Sequence, residues 1–183
     1  AAPRPFRAGT CPRSVAIGRF DADAKPDLAV ADGAGSVVLL LGRGGGEFVP
    51  GWRTALGGSP YSVIAADLDR DSKLDLAVAN GSTHGVSVML GDGRGGFAPA
   101  VQFPASSGTV SVAAGDLDRD GDLDLVTGSA VSTGDVAVLL GDGIGGFRPA
   151  GHYVACLGCA PRSVALGDLH ADGGTGVVLV LLP

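Results

Sequence analysis

The segment Thr109-Val-Ser-Val-Ala-Ala-Gly-Asp-Leu-Asp-Arg-Asp-Gly-Asp-Leu-Asp124 joins a short apolar run to a loop with Asp at every second position. The start of this segment is repeated three more times, as Pro12-Arg-Ser-Val, Pro60-Tyr-Ser-Val and Pro161-Arg-Ser-Val. The spacings between the four starts are 48, 49 and 52 residues. Self-similarity at a period of this length indicates a repeat architecture, so the chain is one unit written nearly four times.

The second half of the unit contains a turn signal. In the first three units an apolar run is followed by a Gly-rich cluster and an aromatic residue, over 39–48, 88–97 and 138–147. This order is typical of a strand, a tight turn and a second strand. Each unit therefore holds about four strands, and nothing in it has helical periodicity. The sequence predicts an all-β fold of β-propeller blades, each of four antiparallel strands; a calcium-binding β-helix would have a far shorter period.

The repeat also predicts how the chain is organised. We expect a single domain over 1–183, with repeats at 12–59, 60–108, 109–160 and 161–183, the last of them incomplete. The first eleven residues, which include Phe6, resemble the tail of a preceding unit. About three and a half blades cannot close a ring, since propellers usually need four to eight. The favoured interpretation is part of a longer propeller of roughly seven blades; the alternative is a homodimer that completes such a ring.

The loop at 116–124, called loop 3 below, has the pattern D-x-D-x-D-G-x-x-D. Acidic residues at positions one, three and five with Gly at position six resemble the first half of an EF-hand loop, and calcium prefers such hard oxygen ligands. Four carboxylates this close repel one another unless a cation lies between them. We predict that Ca²⁺ is bound by the side chains of Asp116, Asp118, Asp120 and Asp124 and by the main chain of Asp122. The plain alternative is an ion-free turn capped by Asp.

The loop at 67–75, called loop 2, is the second predicted calcium site. It keeps every carboxylate and has Lys at position seven, so its predicted ligand set is Asp67, Asp69, Asp71, Lys73 and Asp75. Ser72 replaces the Gly of position six. If that position needs a positive φ, Ser costs roughly 1 kcal/mol and weakens the site without abolishing it.

The two remaining Asp loops depart further from the pattern. Loop 1, at 19–27, has Arg19 at position one, before the candidate ligands Asp21, Asp23 and Asp27. The guanidinium could sit among these carboxylates in place of an ion. Loop 4, at 168–176, keeps Asp168 and Asp172 but has His170 at position three and Gly176 at position nine. Two carboxylates are too few for good calcium affinity, so an ion-free turn is expected there.

Composition excludes several function classes. The net charge of −6 argues against nucleic acid, which needs a basic face, and against an anionic membrane surface. The longest uncharged apolar run, Val177 to Leu182, is far shorter than a membrane span, so no membrane insertion is expected. No nucleophile elbow, zinc-spaced histidine pair or phosphate loop accompanies the three histidines, so we expect no enzymatic activity.

Several other side chains have open or structural interpretations. Asp92 and Asp142, in the Gly-Asp-Gly turns, are expected to be structural, because a hairpin itself favours Asp. The motif Cys156-Leu-Gly-Cys159 fits a local disulfide better than a zinc or redox site, which leaves Cys11 free or paired outside the chain. Three aromatic residues either line a sugar-binding face or, more ordinarily, pack between blades: Trp52, Tyr61 and Tyr153.

With both motifs in hand, the chain resembles the FG-GAP/VCBS repeat family, which includes the propellers of integrin α-subunits and many bacterial secreted proteins. The resemblance covers 12–183. Gly96-Phe97-Ala-Pro99 and Gly146-Phe147-Arg-Pro149 are similar to the motif that names the family, and loops 2 and 3 match its calcium loops.

The resemblance implies a function as well as a fold. It implies an extracellular or cell-surface propeller stabilised by structural calcium, which binds a protein or a glycan in recognition or adhesion. The alternative is a non-catalytic accessory or architectural segment of a larger secreted enzyme or surface protein. A shared fold by itself identifies no ligand.

Overall fold

The fold is that of a computed structural model, which describes residues 5–83, 85–131, 134–155, 160–167 and 176–182, the last of these as backbone only. The described residues form fourteen β-strands and no helix. Among them, accordingly, no helix is long and apolar enough to cross a membrane.

Three of the four units form complete blades, as predicted. The first consists of β1 (Pro12–Gly18), β2 (Asp27–Asp32), β3 (Ser36–Gly44) and β4 (Glu47–Ala55). The second consists of β5 (Pro60–Ala66), β6 (Asp75–Asn80), β7 (Gly85–Met89) and β8 (Val101–Pro104). The third consists of β9 (Thr109–Gly115), β10 (Asp124–Ser129), β11 (Asp135–Gly141) and β12 (Phe147–Val154). The described part of the fourth unit consists of β13 (Ala160–Gly167) and β14 (Gly176–Leu182).

Each complete blade is an antiparallel meander in which the strands lie in chain order. The fourth unit contributes the two-stranded sheet β13–β14. The pairing register places position nine of each Asp loop opposite the last residue of the first strand: Asp27 opposite Gly18, Asp75 opposite Ala66, and Asp124 opposite Gly115. Loops 1, 2 and 3 are therefore the connections between the first and second strands of their blades.

The core lies between blades rather than within one. Side chains alternate across a strand, so the second strand of a blade sends one set of residues to each neighbour. In β2, Ala29 and Ala31 pack against the second blade, where they meet Leu76 and Val78 of β6. A second cluster joins the second and third blades in the same way, and a third joins the third blade to β13. Burial of these apolar faces, at about 25 cal/mol per Å², holds successive blades together.

The aromatic side chains divide between these interfaces and the surface. Trp52 packs against Phe97 of the next blade, with ring centroids 4.9 Å apart. Tyr61 lies beneath the guanidinium of Arg13, whose Cζ is 3.8 Å from the ring centroid. Tyr153, by contrast, is exposed on β12. The interpretation of Trp52 as a packing residue is confirmed.

Candidate metal-binding loops

The Asp at position nine of loops 1, 2 and 3 has a structural role that the sequence did not predict. Asp124 is fully buried at the start of β10, and each of its two oxygens accepts a backbone hydrogen bond. The Leu117 N–H donates to Oδ2 at 2.7 Å, and the Gly141 N–H donates to Oδ1 at 2.9 Å. The first bond closes the loop and the second ties it to the end of β11. We call this arrangement the position-nine clasp.

The clasp is repeated in the other two blades. Asp75 accepts hydrogen bonds from the N–H groups of Leu68 and Gly91, both at 2.7 Å. Asp27 accepts them from Phe20 at 2.9 Å and Gly42 at 2.8 Å. Burial raises the pKa values of Asp75 and Asp124, and these hydrogen bonds only partly offset that effect. One sequence signal pointed to the clasp: position nine keeps its Asp in loop 1, where position one is not acidic.

Loop 3 brings three of its predicted ligands together. Carboxylate oxygens of Asp116, Asp118 and Asp124 all lie within 4.8 Å of one another, whereas Asp120 is outside this cluster. Two oxygens on opposite sides of one calcium ion are roughly 5 Å apart, since each Ca–O distance is about 2.3–2.6 Å. The spacing and the hard-oxygen chemistry of this donor set therefore fit Ca²⁺.

The backbone of loop 3 turns inward around Asp116. Its Oδ1 accepts a hydrogen bond from the Arg119 N–H at 2.7 Å, and its Oδ2 accepts one from the Gly121 N–H at 3.0 Å. Gly121 has a φ of 90° and Arg119 a φ of 66°, so the loop needs two left-handed residues. Asp122 at position seven directs its side chain away from this centre, to Arg70 of loop 2.

Loop 2 has the same backbone conformation as loop 3, although Ser72 stands where loop 3 has Gly121. Ser72 has a φ of 66°, so the condition on which the expected cost of Ser at position six depends is met. Oxygens of Asp67, Asp69 and Asp71 lie within 4.8 Å of one another, while Asp75 is outside this cluster and forms the clasp. The Lys73 ammonium contacts Asp71 and lowers the pKa of that carboxyl. Lys73 therefore supplies a positive charge next to the cluster.

Loop 1 clusters Asp21, Asp23 and Asp27, again within 4.8 Å. Among the described residues, the cation that reaches these carboxylates is Lys25, whose Nζ lies 2.9 Å from Asp23 Oδ2. Within that part of the chain no ion pair joins Arg19 to them. Ala24 supplies the positive φ at position six. Since Arg19 has no carboxylate to hold the position-six N–H, loop 1 lacks the inner bond present in loops 2 and 3.

The remaining predicted sites divide into confirmed turns and undescribed segments. In the Gly-Asp-Gly turns, Asp92 and Asp142 each accept two backbone hydrogen bonds through Oδ1, at 2.7–3.0 Å, which confirms their structural role. Residues 168–175 of loop 4 and the Cys156–Cys159 motif lie outside the described residues. Cys11 is an exposed free thiol.

Comparison with known proteins places these features in a family. A model described as FG-GAP-like repeat matches residues 19–78 and 67–127. Each match begins at position one of an Asp loop and continues past the next loop. A search of curated protein sequences gave no match.

Solved structures support the fold alone. Two crystal structures of BBS1N in complex with ARL6DN, one soaked with lead and one with mercury, match with TM-scores of 0.60 and 0.64. Sequence identity to both is 16%, and the alignments cover 94% of this chain. They cover 51% and 53% of the BBS1N chains, so this chain spans about half the length of those structures. The matched repeats, the blade topology and the recurring Asp loops make this chain a member of the FG-GAP-like repeat family.

Proposed function

We propose that this chain is a calcium-binding β-propeller module for recognition, in which loops 3 and 2 hold structural Ca²⁺. The observation that carries the proposal is the convergence of Asp116, Asp118 and Asp124 oxygens to within 4.8 Å. Asp67, Asp69 and Asp71 form the equivalent cluster in loop 2. Like charges at this separation repel, and a divalent cation would remove the repulsion.

The proposed role of calcium is to fix the loop between the first two strands of a blade. The clasp already attaches one end of loop 3 to β11, through the Gly141 N–H and Asp124. A bound ion would also hold the other end of loop 3, where Asp116 and Asp118 lie. Because binding to the folded state alone raises stability, the module would unfold at a higher temperature with calcium than without it.

The proposed sites differ in strength. Loop 3 has glycine at its second left-handed position, whereas loop 2 has serine there and a lysine ammonium beside Asp71. Both features weaken calcium binding in loop 2, the first through backbone strain and the second through repulsion between Lys73 and the ion. Loop 1 ranks below both, since Arg19 offers no carboxylate at position one.

The test is a calorimetric titration and a thermal melt, each with calcium and with chelator. Asp118→Asn should remove most of the calcium-dependent rise in melting temperature, because Asp118 belongs to the loop 3 cluster. Asp142→Asn is the matched control, since Asp142 is also an exposed loop Asp but belongs to a hairpin turn. A wild-type melting temperature that does not change with chelator would reject structural calcium.

We propose an extracellular or cell-surface location for this module. Calcium sites with a Kd of roughly 10⁻⁴–10⁻³ M are typical of extracellular modules, so weak sites would be filled there. Expression with a secretion signal should give protein with calcium bound after purification without added metal. Metal analysis of the secreted protein tests whether the calcium sites are filled in an extracellular environment.

The proposed ligand is a protein or a glycan bound on a propeller face, and the proposed role is non-catalytic. The BBS1N structures are complexes with a protein, ARL6DN, which supports a protein partner in the first instance. Screening the purified chain against immobilised matrix proteins and a glycan panel, with and without calcium, tests this. Binding to neither class would favour the alternative, an architectural or accessory segment of a larger protein.

A further inference from the structure

The outer strands of the first two blades are joined by an indole that the next pair of blades lacks. Trp52 of β4 packs against Phe97 of the second blade, with ring centroids 4.9 Å apart. Trp52 is the fourth residue after Phe48, and Val101 of β8 is the fourth after Phe97. The pairing registers of β3–β4 and β7–β8 agree with this equivalence. Val101 has a far smaller side chain and is 55% exposed, so the interface between the second and third blades has no such indole.

A cavity of about 270 Å³ lies between the second and third blades, and we call it the outer cavity. Phe103 of β8 lines one side, and Leu140 of β11 and Phe147 of β12 line the other. Phe103 packs edge-on against Phe147, with ring centroids 5.3 Å apart and an interplanar angle of 77°. Pockets for whole small-molecule ligands measure roughly 300–1,000 Å³, so the outer cavity suits a single side chain.

Asp142 provides a hydrogen-bond acceptor at the outer cavity. Its Oδ1 takes both backbone bonds of the turn, from the N–H groups of Ile144 at 3.0 Å and Gly146 at 2.8 Å. Its Oδ2 takes no part in these bonds and lies against Gly146, where an added Cβ would overlap it. Gly146 and Asp142 both line the cavity. An indole N–H is a donor that needs an acceptor when it is buried, so this carboxylate favours an indole over a phenyl ring.

Arg148 brings a positive charge to the same cavity. It lines the space from β12, on an exposed part of that strand. A guanidinium is attracted to the face of an aromatic ring, and most strongly to that of an indole. The molecule already contains such a contact, since Arg13 Cζ lies 3.8 Å from the centroid of the Tyr61 ring. The charge on Arg148 therefore favours an aromatic side chain over an aliphatic one.

We propose that the outer cavity binds a tryptophan side chain presented by a protein partner. The chain itself supplies the precedent, because Trp52 packs between the outer strands of the preceding pair of blades. The cavity matches an indole in its two phenyl walls, in the acceptor of Asp142 and in the cation of Arg148. Buried aromatic anchors of this kind contribute much of the energy of protein interfaces.

This inference rests on the proposed recognition of a protein ligand, for which it names a site and an anchor residue. It does not depend on calcium, because none of the clustered carboxylates of loops 1, 2 and 3 lines the outer cavity. A titration in chelator therefore examines the cavity separately from the metal sites.

The probe for this titration is N-acetyl-tryptophanamide, and N-acetyl-leucinamide is the matched apolar control. We expect the tryptophan probe to shift the amide NMR signals of Gly146, Phe147 and Arg148 in the full chain, because these residues line the cavity. The leucine probe should shift them much less. No shift with the tryptophan probe, or equal shifts with the two probes, would overturn the proposal.

Matched valines test where the probe binds. Val101→Trp places an indole at the position that Trp52 has in the first blade, so it should fill the cavity and abolish probe binding. Val154→Trp adds the same side chain to β12 at a valine that is 61% exposed and does not line the cavity. This control should bind the probe as the wild type does. Circular-dichroism melts confirm that each variant is folded, and undiminished binding by folded Val101→Trp would contradict the proposal.

Arg148→Ala tests the cavity without filling it, and it decides the matter if Val101→Trp does not fold. Loss of the cation should lower the affinity for the tryptophan probe about two- to fivefold, as for an exposed cation–π contact. Arg94→Ala, in the equivalent turn of the second blade, is the control and should leave the affinity unchanged. Equal affinities of the two variants would argue against the assigned site.

A protein partner found by the screen under the proposed function separates the two proposals. Partner binding that Val101→Trp abolishes and Val154→Trp retains supports the outer cavity as the recognition site. Equal binding of the partner to the wild type and Val101→Trp keeps the recognition function but overturns the cavity as its site. A screen in which no protein binds rejects the recognition function, and the probe titration still decides whether the cavity accepts an indole.

Discussion

Arg70 of loop 2 lies 2.7 Å from Asp122 of loop 3, measured from Nε to Oδ1. The contact is an ion pair without hydrogen-bond alignment, since Oδ1 has no aligned donor in the described structure. It joins two loops of neighbouring blades that carry the candidate calcium sites. Loop 1 has Ala22 where loop 2 has Arg70, and loop 2 has Lys73 where loop 3 has Asp122. The first two loops therefore cannot form the same bridge.

Removing this bridge should have a small but measurable effect. Arg70 is half-exposed, so Arg70→Ala is expected to lower the free energy of unfolding by about 0.5–1 kcal/mol, as for an exposed pair. Urea unfolding of the wild type and Arg70→Ala measures this loss at low and at high salt. The difference in free energy of unfolding between the two proteins should be smaller at high salt, because salt screens the charges. Arg148→Ala, on an exposed part of β12, is the control. An effect no larger than that of the control would show that the bridge contributes nothing.

The left-handed backbone of loop 2 gives a stabilising substitution. Ser72 has a φ of 66°, at the position where loop 3 has Gly121. Ser72→Gly should raise the free energy of unfolding by up to about 1 kcal/mol, because glycine adopts this conformation without steric cost. Ser72→Ala keeps the steric cost and should give no gain. Chemical denaturation of the wild type, Ser72→Gly and Ser72→Ala in chelator measures the effect of the backbone conformation without bound metal. A lower free energy of unfolding for Ser72→Gly than for the wild type would contradict the prediction.

The position-nine clasp predicts that Asp124 matters even when no metal is present. Asp124→Ala leaves the N–H groups of Leu117 and Gly141 without their acceptor, at a cost of about 1–3 kcal/mol for each buried group that stays unpaired. Asp118→Ala should cost much less in chelator, because Asp118 accepts one long bond in an exposed loop. Thermal melts in chelator compare Asp124→Ala with Asp118→Ala. Equal decreases in melting temperature for the two variants would argue against the clasp.

Asp32 gives the chain an acid-sensitive contact at the end of β2. Burial raises the pKa of this carboxyl, but hydrogen bonds from the N–H groups of Cys11, Thr10 and Ala34 outweigh burial, so the pKa lies below its ordinary value. A lowered pKa in the folded state means that the stabilisation is complete above the unfolded-state pKa of about 4. It is lost as the pH falls through the lower folded-state pKa.

Asp32→Asn tests this, because the second blade has Asn80 at the same position, where its Oδ1 accepts the Ser59 N–H at 2.9 Å. We expect the wild type to lose more stability than Asp32→Asn between pH 6 and pH 3. The stability difference between the two proteins should therefore narrow on acidification. A difference that stays constant over this range would show that Asp32 does not titrate as described.

Most of the fold could be predicted because its signals are local. The spacing of the Ser-Val starts, the Asp loops and the Gly-rich turns fixes the number and order of strands within a unit. The same local reasoning identified position six of loop 2 as the place where a positive φ would be costly, and it predicted the structural role of Asp92. The clasp was missed because the Gly141 N–H is 17 residues from Asp124 and reaches it only through the pairing of β10 with β11.

The amino-acid sequence alone predicted repeated four-stranded blades with Asp loops between their first two strands. It did so because turn chemistry and side-chain alternation act over a few residues. The contacts of each motif depend on how the blades pack in three dimensions, because the contacting residues lie about one repeat apart in the sequence. Ser14 meets Val63, Arg70 meets Asp122, and Val15 meets no neighbouring blade among the described residues. Packing between blades, rather than the pattern within one, decides which apolar faces are buried.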